Sequence, residues 1–288
     1  MLTINEIKTF IDNDAASTKK QLAKVGDRYY NAEHDIKDYR IFFVDAEGNL
    51  QEDKTRWNAR ISHPFFTENV DQTVQYLLSG EDGFVRSDNP KLQAELDAYF
   101  NENEDFMTEL YDLLTGCVSK GFENMYAYKS AEDRTAFQCA DSLGVVEVRA
   151  KDTDDGCEYV IYWYVDRIGK DGKKIKRIQV WDSKMIWFYC QDGEGKIEPD
   201  ASEKINPRPH TLYKKDGDET TYYEDFGFIP FFRIDNNKKQ TSGLKPIKGL
   251  IDDYDLMACG LSNNIQDTNG AVGIILYVVG QSVVDDMG

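Results

Sequence analysis

Residues 244–267 carry the pattern that most constrains the fold. Leu244, Ile247, Ile251, Tyr254, Ala258, Leu261 and Ile265 recur at spacings of three and four, which lays one apolar stripe along a helix of about six turns. Asp252, Asp253, Asp255, Asn263, Asn264 and Asp267 lie in the same segment, and Lys248 is the one cation after Pro246. Acids without partners are costly to bury. The sequence therefore predicts a helix with one packing side and one wet side.

Composition narrows the class. The 288 residues are 41% hydrophobic and 12% aromatic, enough to bury one or two cores. A net charge of −18 repels nucleic-acid phosphates and argues against wrapping or groove reading of DNA. Lys170, Lys173, Lys174, Lys176 and Arg177 form the one dense basic cluster, read as the solvated end of a hairpin. The five cysteines, at 117, 139, 157, 190 and 259, contain no C-x-x-C pair and read as buried reduced thiols. No basic segment followed by an apolar one opens the chain, so no secretory signal is expected. The longest apolar run, Ala271 to Val279, is about half of what a bilayer needs, and no membrane partner is expected.

The first part reads as helical. Ile4, Ile7, Phe10, Ile11, Leu22 and Val25 suggest an opening helix ending near Gly26. A hairpin follows, with Ile41 to Val44 and a turn at Asp45 to Asn49. Pro64 starts a helix with Phe65, Phe66, Val70, Val74, Leu77 and Leu78, and Asn89-Pro90 starts a third. A fourth carries Phe106, Leu110, Leu113, Leu114, Cys117 and Val118, closed by Gly121. From Phe122 to about Ile234 the signal is strands joined by tight turns, at Asp171-Gly172, Asp192-Gly193 and Asp216-Gly217. Strands so joined are antiparallel, which gives an α+β class with segregated halves. After Asn269-Gly270 the run Ala271 to Val279 reads as a strand. The expected divisions are 1–121 helical, 122–240 β-rich, 241–268 the long helix, and 269–288 a further segment.

No catalytic, cofactor or metal residue is assigned. Neither G-x-x-x-x-G-K-[ST] nor G-x-G-x-x-G is present. His34, His63 and His210 stand far apart; the first two read as locally hydrogen-bonded at a turn and a helix start. Asp152 to Gly156 looks like a calcium loop but puts Gly one place early and Trp163 where a bidentate Glu is needed. Asp252-Asp253 would suit magnesium-dependent phosphodiester cleavage, yet among 52 acidic residues adjacent acids arise by chance. Tyr162-Trp163-Tyr164 would stack bases, but lacks interleaved cations and reads as a strand.

Four segments point elsewhere. Arg28-Tyr29-Tyr30-Asn31-Ala32-Glu33-His34-Asp35-Ile36 is similar to an RYYxGxHDI element, with Ala32 at the Gly position. Asn58 to Phe66 and Val70 to Gly80 are similar to NNRIxHNF and VDQKVxYLLG, with Pro64 where Asn is common. Cys117 to Gly121 leads into the strand through Tyr126 and Tyr128, and Gly227 to Phe232 with Asn236-Asn237 leads to Leu244–Asp255. In this order they resemble the portal protein family of tailed bacteriophages, of the SPP1 type.

The resemblance implies a structural, non-enzymatic subunit of a homo-oligomeric ring, usually of about twelve. The ring sits at one capsid vertex of the virion, after assembly in the host cytoplasm. Double-stranded DNA passes through it without sequence specificity. Terminase, the major capsid or scaffolding protein and a head–tail adaptor would be its partners. Residues 1 to about 240 would form the wing, the helix from Leu244 the stem, and the chain after Asn269 the start of the clip; a second stem helix and a crown would normally follow. Asp252, Asp253, Asp255, Asn263 and Asp267 would face the channel, where an acidic surface lets DNA slide. Ile247, Ile251, Tyr254, Ala258, Leu261 and Ile265 would pack subunits together. The competing readings are a metal-dependent nuclease or phosphoesterase using clustered acids, and another acidic virion structural protein.

Overall fold

The structure, a computed structural model, describes residues 1–80, 85–129, 134–149, 156–168, 172–193, 195–214 and 221–285. The helical part comprises α1 (Ile4–Ala16), α2 (Thr18–Tyr30), a short hairpin of β1 (Phe42–Val44) and β2 (Leu50–Glu52), α3 (Phe65–Leu78), α4 (Pro90–Leu96) and α5 (Glu104–Lys120). The strands that follow are β3 (Phe122–Lys129), β4 (Thr135–Ala140), β5 (Val145–Arg149), β6 (Cys157–Ile168), β7 (Lys173–Trp181), β8 (Met185–Asp192), β9 (Ile197–Pro199), β10 (Arg208–Pro209), β11 (Thr211–Lys214), β12 (Thr221–Glu224) and β13 (Phe231–Asp235). The last element is α6 (Lys248–Asp285). All described strand pairs are antiparallel, so the class is α+β. The chain forms two compact units, one of Met1–Asp27 with Val70–Gly243 and one of Arg28–Asn69 with Leu244 onward.

In the first unit, β10-β8-β7-β6-β5 form a sheet in that order, with β9 added to β8, and β13-β3-β4 form a second. Alternation along the central strands explains why both faces of the larger sheet are covered. Val146, Val148, Ile161, Ile178, Val180 and Tyr189 point to one face and bury Ile7 and Ile11 of α1. Their neighbours Val145, Val160, Trp181, Ile186 and Phe188 point to the other and meet Tyr126 and Phe231 of the smaller sheet. On α5, Phe106, Leu110 and Leu113 pack against Met125, with Phe137 and Cys139 beside them.

Local chemistry sets the boundaries. The Asn103 side chain caps α5 by accepting from Asp105 N and Phe106 N, and Gly121, at φ +100°, closes it with an N–H bond to Cys117 O at 2.9 Å. Asn89 and Pro90 open α4. The hairpins at Asp45–Asn49 and Asp192-Gly193 are present. Strands β6 and β7 pair from Val160↔Trp181 to Ile168↔Lys173, and β11 pairs with β12. Asp171, Lys170, the Asp216-Gly217 pair and Asp152–Asp155 lie outside the described residues. Lys173 pairs with Asp192 at 2.6 Å, Lys176 lies over the Trp163 ring and Arg177 pairs with Asp200.

Two sequence expectations are corrected. The opening helix is two helices, broken at Ser17, whose extended backbone ends α1 and whose hydroxyl accepts from Lys20 N at 3.3 Å to start α2. Gly26 lies inside α2, where a Cβ would stand 2.0 Å from the Ser119 carbonyl oxygen. Its role is close packing and not termination. The run Ala271 to Val279 continues α6 and is not a strand. An unbroken apolar run has no period to separate the two, and Asn269-Gly270 does not interrupt the helix. No helix among the described residues is long and apolar enough to cross a membrane.

In an ordinary helix interior Gly→Ala stabilises by up to about 1 kcal/mol. At Gly26 the substitution is expected to destabilise instead, by about 1–3 kcal/mol, as read from urea unfolding of the purified chain.

Candidate functional site: a strap on the polar face of the long helix

The second unit is organised by hydrogen bonds from side chains of α6. Between β2 and α3 the chain from Arg56 to His63 is extended and belongs to no sheet. An extended segment without strand partners must satisfy its backbone groups elsewhere. Here the helix supplies them. Asp267 pairs with Arg56, Asn263 Oδ1 accepts from Ala59 N at 2.8 Å, Cys259 Sγ accepts from Ile61 N at 3.3 Å, and Asp255 Oδ1 accepts from His63 N at 3.0 Å. The strap thus runs antiparallel to α6, with Ile36, Ala59 and Cys259 forming the small core beneath it.

Asp255 is the centre of this arrangement. It is 0% exposed, and its Oδ2 lies 2.6 Å from His34 Nδ1 while its Oδ1 lies 2.7 Å from His63 Nδ1. His34, also fully buried, stacks on the Tyr29 ring with centroids 4.4 Å apart, and its Nε2 lies 3.3 Å from Tyr29 O. One turn earlier, Asp252 accepts from the Tyr29 hydroxyl and from Lys248 Nζ at 2.6 Å, and Lys248 also reaches Asp35 at 2.6 Å. Burial, followed by the Asp252 carboxylate, pushes the Tyr29 hydroxyl up to about 12. Asp35 falls to about 2: burial works upward, but donors from Lys248, Arg28 and Tyr29 outweigh it. Lys248 is raised against its own burial by Asp252 and Asp35.

The backbone that aims His34 carries a strained residue. Ala32 sits at φ +55°, a left-handed conformation that costs a residue with a Cβ about 1 kcal/mol and glycine nothing. This is the position at which the sequence has Ala where the RYYxGxHDI element has Gly. Ser62 of the strap donates to Ala32 O at 2.6 Å.

The helix faces are therefore distributed differently from the sequence reading. Asp255 and Asn263 are buried, and Asp252 and Asp267 are held by partners on the strap side; of the five residues read as channel-facing, Asp253 is exposed and outside this network. Of the apolar stripe, Ile251 is buried and Ile247 and Ala258 are half-buried, whereas Tyr254, Leu261 and Ile265 are exposed. At 3.6 residues per turn, Lys248, Asp252, Asp255, Cys259, Asn263 and Asp267 fall within about 120° of the circumference. Leu250, Tyr254, Met257, Leu261 and Ile265 form an exposed stripe on the opposite side, centred about 190° away. His34 and His63, read as locally bonded, both bond to an aspartate about two hundred positions on, and His34 also keeps a local partner in Tyr29 O. The acids here are engaged by protein donors, and among the described residues no group of three or more His, Cys, Asp or Glu could hold a metal ion.

Three of the four resembling segments thus converge: Arg28–Ile36, Asn58–Phe66 and Leu250–Asp255 supply Tyr29, His34, His63, Asp252 and Asp255. The family model described as "Phage portal protein, SPP1 Gp6-like" matches residues 9–281. The chain belongs to this family. The portal protein of Bacillus phage SPP1 is 27% identical over 260 residues, which cover 89% of this chain and 49% of that relative. The chain spans about half the length of the curated portal protein it matches.

Removing Asp255 strands a buried histidine. Asp255→Ala is expected to cost about 3–5 kcal/mol, whereas Asp253→Ala should stay within about 0.5 kcal/mol, compared by denaturant unfolding under one set of conditions. Similar losses for both would refute the central role of Asp255. Ala32→Gly, which relieves the strained backbone, should raise the unfolding free energy by about 0.5–1 kcal/mol, and an unchanged or lower midpoint would argue against strain at that turn.

Proposed function

We propose that this chain is the wing and first stem helix of a portal subunit, a structural component without catalytic activity. The observation that supports this best is the family match across residues 9–281, joined to an apolar face of α6 that lies opposite the strap. In this reading residues 1–240 make the wing, 241–268 the stem helix, and the chain from 269 leads towards the clip. Subunits form a ring, about twelve in number, closed by rotation. Tyr254, Leu261 and Ile265, with Leu250 and Met257, are the stem surface on which a neighbour packs. Double-stranded DNA passes through the ring without base readout, and a chain of net charge −18 does not hold phosphates by Lys and Arg contacts. Of the five residues read as channel-facing, Asp253, exposed and outside the strap network, would meet that DNA. Terminase, capsid or scaffolding protein and a head–tail adaptor are the partners, at the portal vertex of the virion and in the host cytoplasm during assembly.

The test is electron microscopy of the product of the complete reading frame. Closed rings with a central hole are expected, and Leu261→Asp should reduce the ring fraction at least about tenfold, since it places a charge in a desolvated contact. Monomers or compact dimers from the complete product would overturn the portal reading.

A further inference from the structure

One cavity of the first unit has no part in the network around α6. It measures about 500 Å³ and opens between the two sheets, beside β13 and the start of β6. Small-molecule sites span roughly 300–1,000 Å³. The core side chains Val145, Val160, Ile229 and Phe231 give it fixed apolar walls, and Phe231 is itself stacked on Tyr126 with ring centroids 5.2 Å apart.

Its buried polar group is Asn124. Alternation along β3 sends Met125 towards α5 and Asn124, like Tyr126, towards the larger sheet and the cavity. Asn124 is 3% exposed. Its backbone N–H donates to Glu123 Oε1 at 3.3 Å, whereas its carboxamide makes no hydrogen bond among the described residues. Strand interiors disfavour Asn, and native folds leave few buried polar groups unpaired. The charges nearby cancel. Arg233 Nη1 donates to both Glu147 oxygens, at 2.6 and 2.7 Å, Arg149 pairs with Glu147 at 3.0 Å, and Asp235 accepts from Arg233 Nε at 2.9 Å. The Cys157 thiol, which burial holds above its usual range, is neutral as well. A charged ligand would have to compete with this chain of pairs, and a neutral one would not.

We infer that this cavity binds a neutral aromatic small molecule carrying a primary carboxamide. The Asn124 side chain offers a donor and an acceptor side by side, so it pairs with a second carboxamide through two hydrogen bonds. The aromatic body of the ligand is buried against the valines, Ile229 and the Phe231 ring. All of these residues lie in the first unit, and the site needs no second copy of the chain.

The experiment titrates the 288-residue chain, isotope-labelled at its Ile and Val methyl groups, with nicotinamide, nicotinate and methylpyridine at neutral pH. These ligands share a ring and differ in amide, charge and hydrogen bonding. Nicotinamide is expected to shift the methyl resonances of Val145, Val160 and Ile229 saturably, with a Kd at least about tenfold below the other two, the worth of one amide pairing. Asn124→Leu should abolish that preference and leave methylpyridine binding in place. No saturable shift, shifts confined to other methyl groups, or nicotinate binding as tightly as nicotinamide overturns the inference. A folded Asn124→Leu that keeps the preference overturns it too. Where circular dichroism shows that this variant does not fold, the comparison of ligands on the unchanged chain decides.

Discussion

The second unit depends on one buried carboxylate. Asp255 has no exposed surface, and its burial is tolerable because two histidine rings and a backbone N–H converge on it. Those three donors come from two segments some thirty residues apart, and the acceptor comes from a third about two hundred positions later. One group therefore fixes the path of the chain after α2, the end of the strap before α3 and the rotation of α6 about its axis. Once Asp255 faces inward, helical geometry carries Asp252, Cys259, Asn263 and Asp267 to the same side, where each finds a strap or flanking group. The apolar side then has to face outward.

The first unit solves a similar problem with buried lysines. Lys20 donates to Val145 O at 2.6 Å and to Ser142 O and pairs with Asp14 at 3.0 Å; burial pulls its ammonium down, against the pull of Asp14. Lys120 sits between Glu123 and Asp141, and burial pushes the Glu123 carboxyl up although Lys120 opposes it. Gly116 leaves the space that Glu123 fills: a Cβ there would stand 1.9 Å from its Oε2. In both units, buried charge is paired and fixes an unusual local path, and apolar burial supplies most of the cohesion.

What could be read from the sequence follows the range of the interaction involved. The Asn103 and Asn89 caps, the Gly121 stop and the hairpins rest on contacts within a few residues, so their signals are complete in the local sequence. The alternation of β6 to β8 is equally local, and α+β follows from it. The break at Ser17 was hidden because residues 12–21 hold no apolar residue but Ala15 and Ala16, so no periodic pattern is present there to be interrupted. The two histidines were invisible as a site because their shared partner is remote. A clue to the face of α6 was present: hydrogen-bonding side chains at 248, 252, 255, 259, 263 and 267 repeat at three and four just as the apolar ones do. Read by burial cost alone, that stripe belongs in water; read as a set of acceptors and donors for an unpaired strap, it belongs inside.

The rotation of α6 bears on the proposed subunit contact. A stem helix that buried its apolar stripe within its own chain would leave a polar surface for its neighbours, and subunit contacts would then rest on exposed ion pairs worth little each. Here Lys248, Asp252, Asp255, Cys259, Asn263 and Asp267 are bonded within the fold, and Leu250, Tyr254, Met257, Leu261 and Ile265 are left exposed. If, as proposed, a neighbouring subunit packs on this face, burial of Leu250, Tyr254, Met257, Leu261 and Ile265 would come with that step. Association and stability of this unit would then be linked, since anything that binds the native form alone also stabilises it. In that reading Asp255 would matter at a distance, because it sets the rotation of α6 that presents the apolar face.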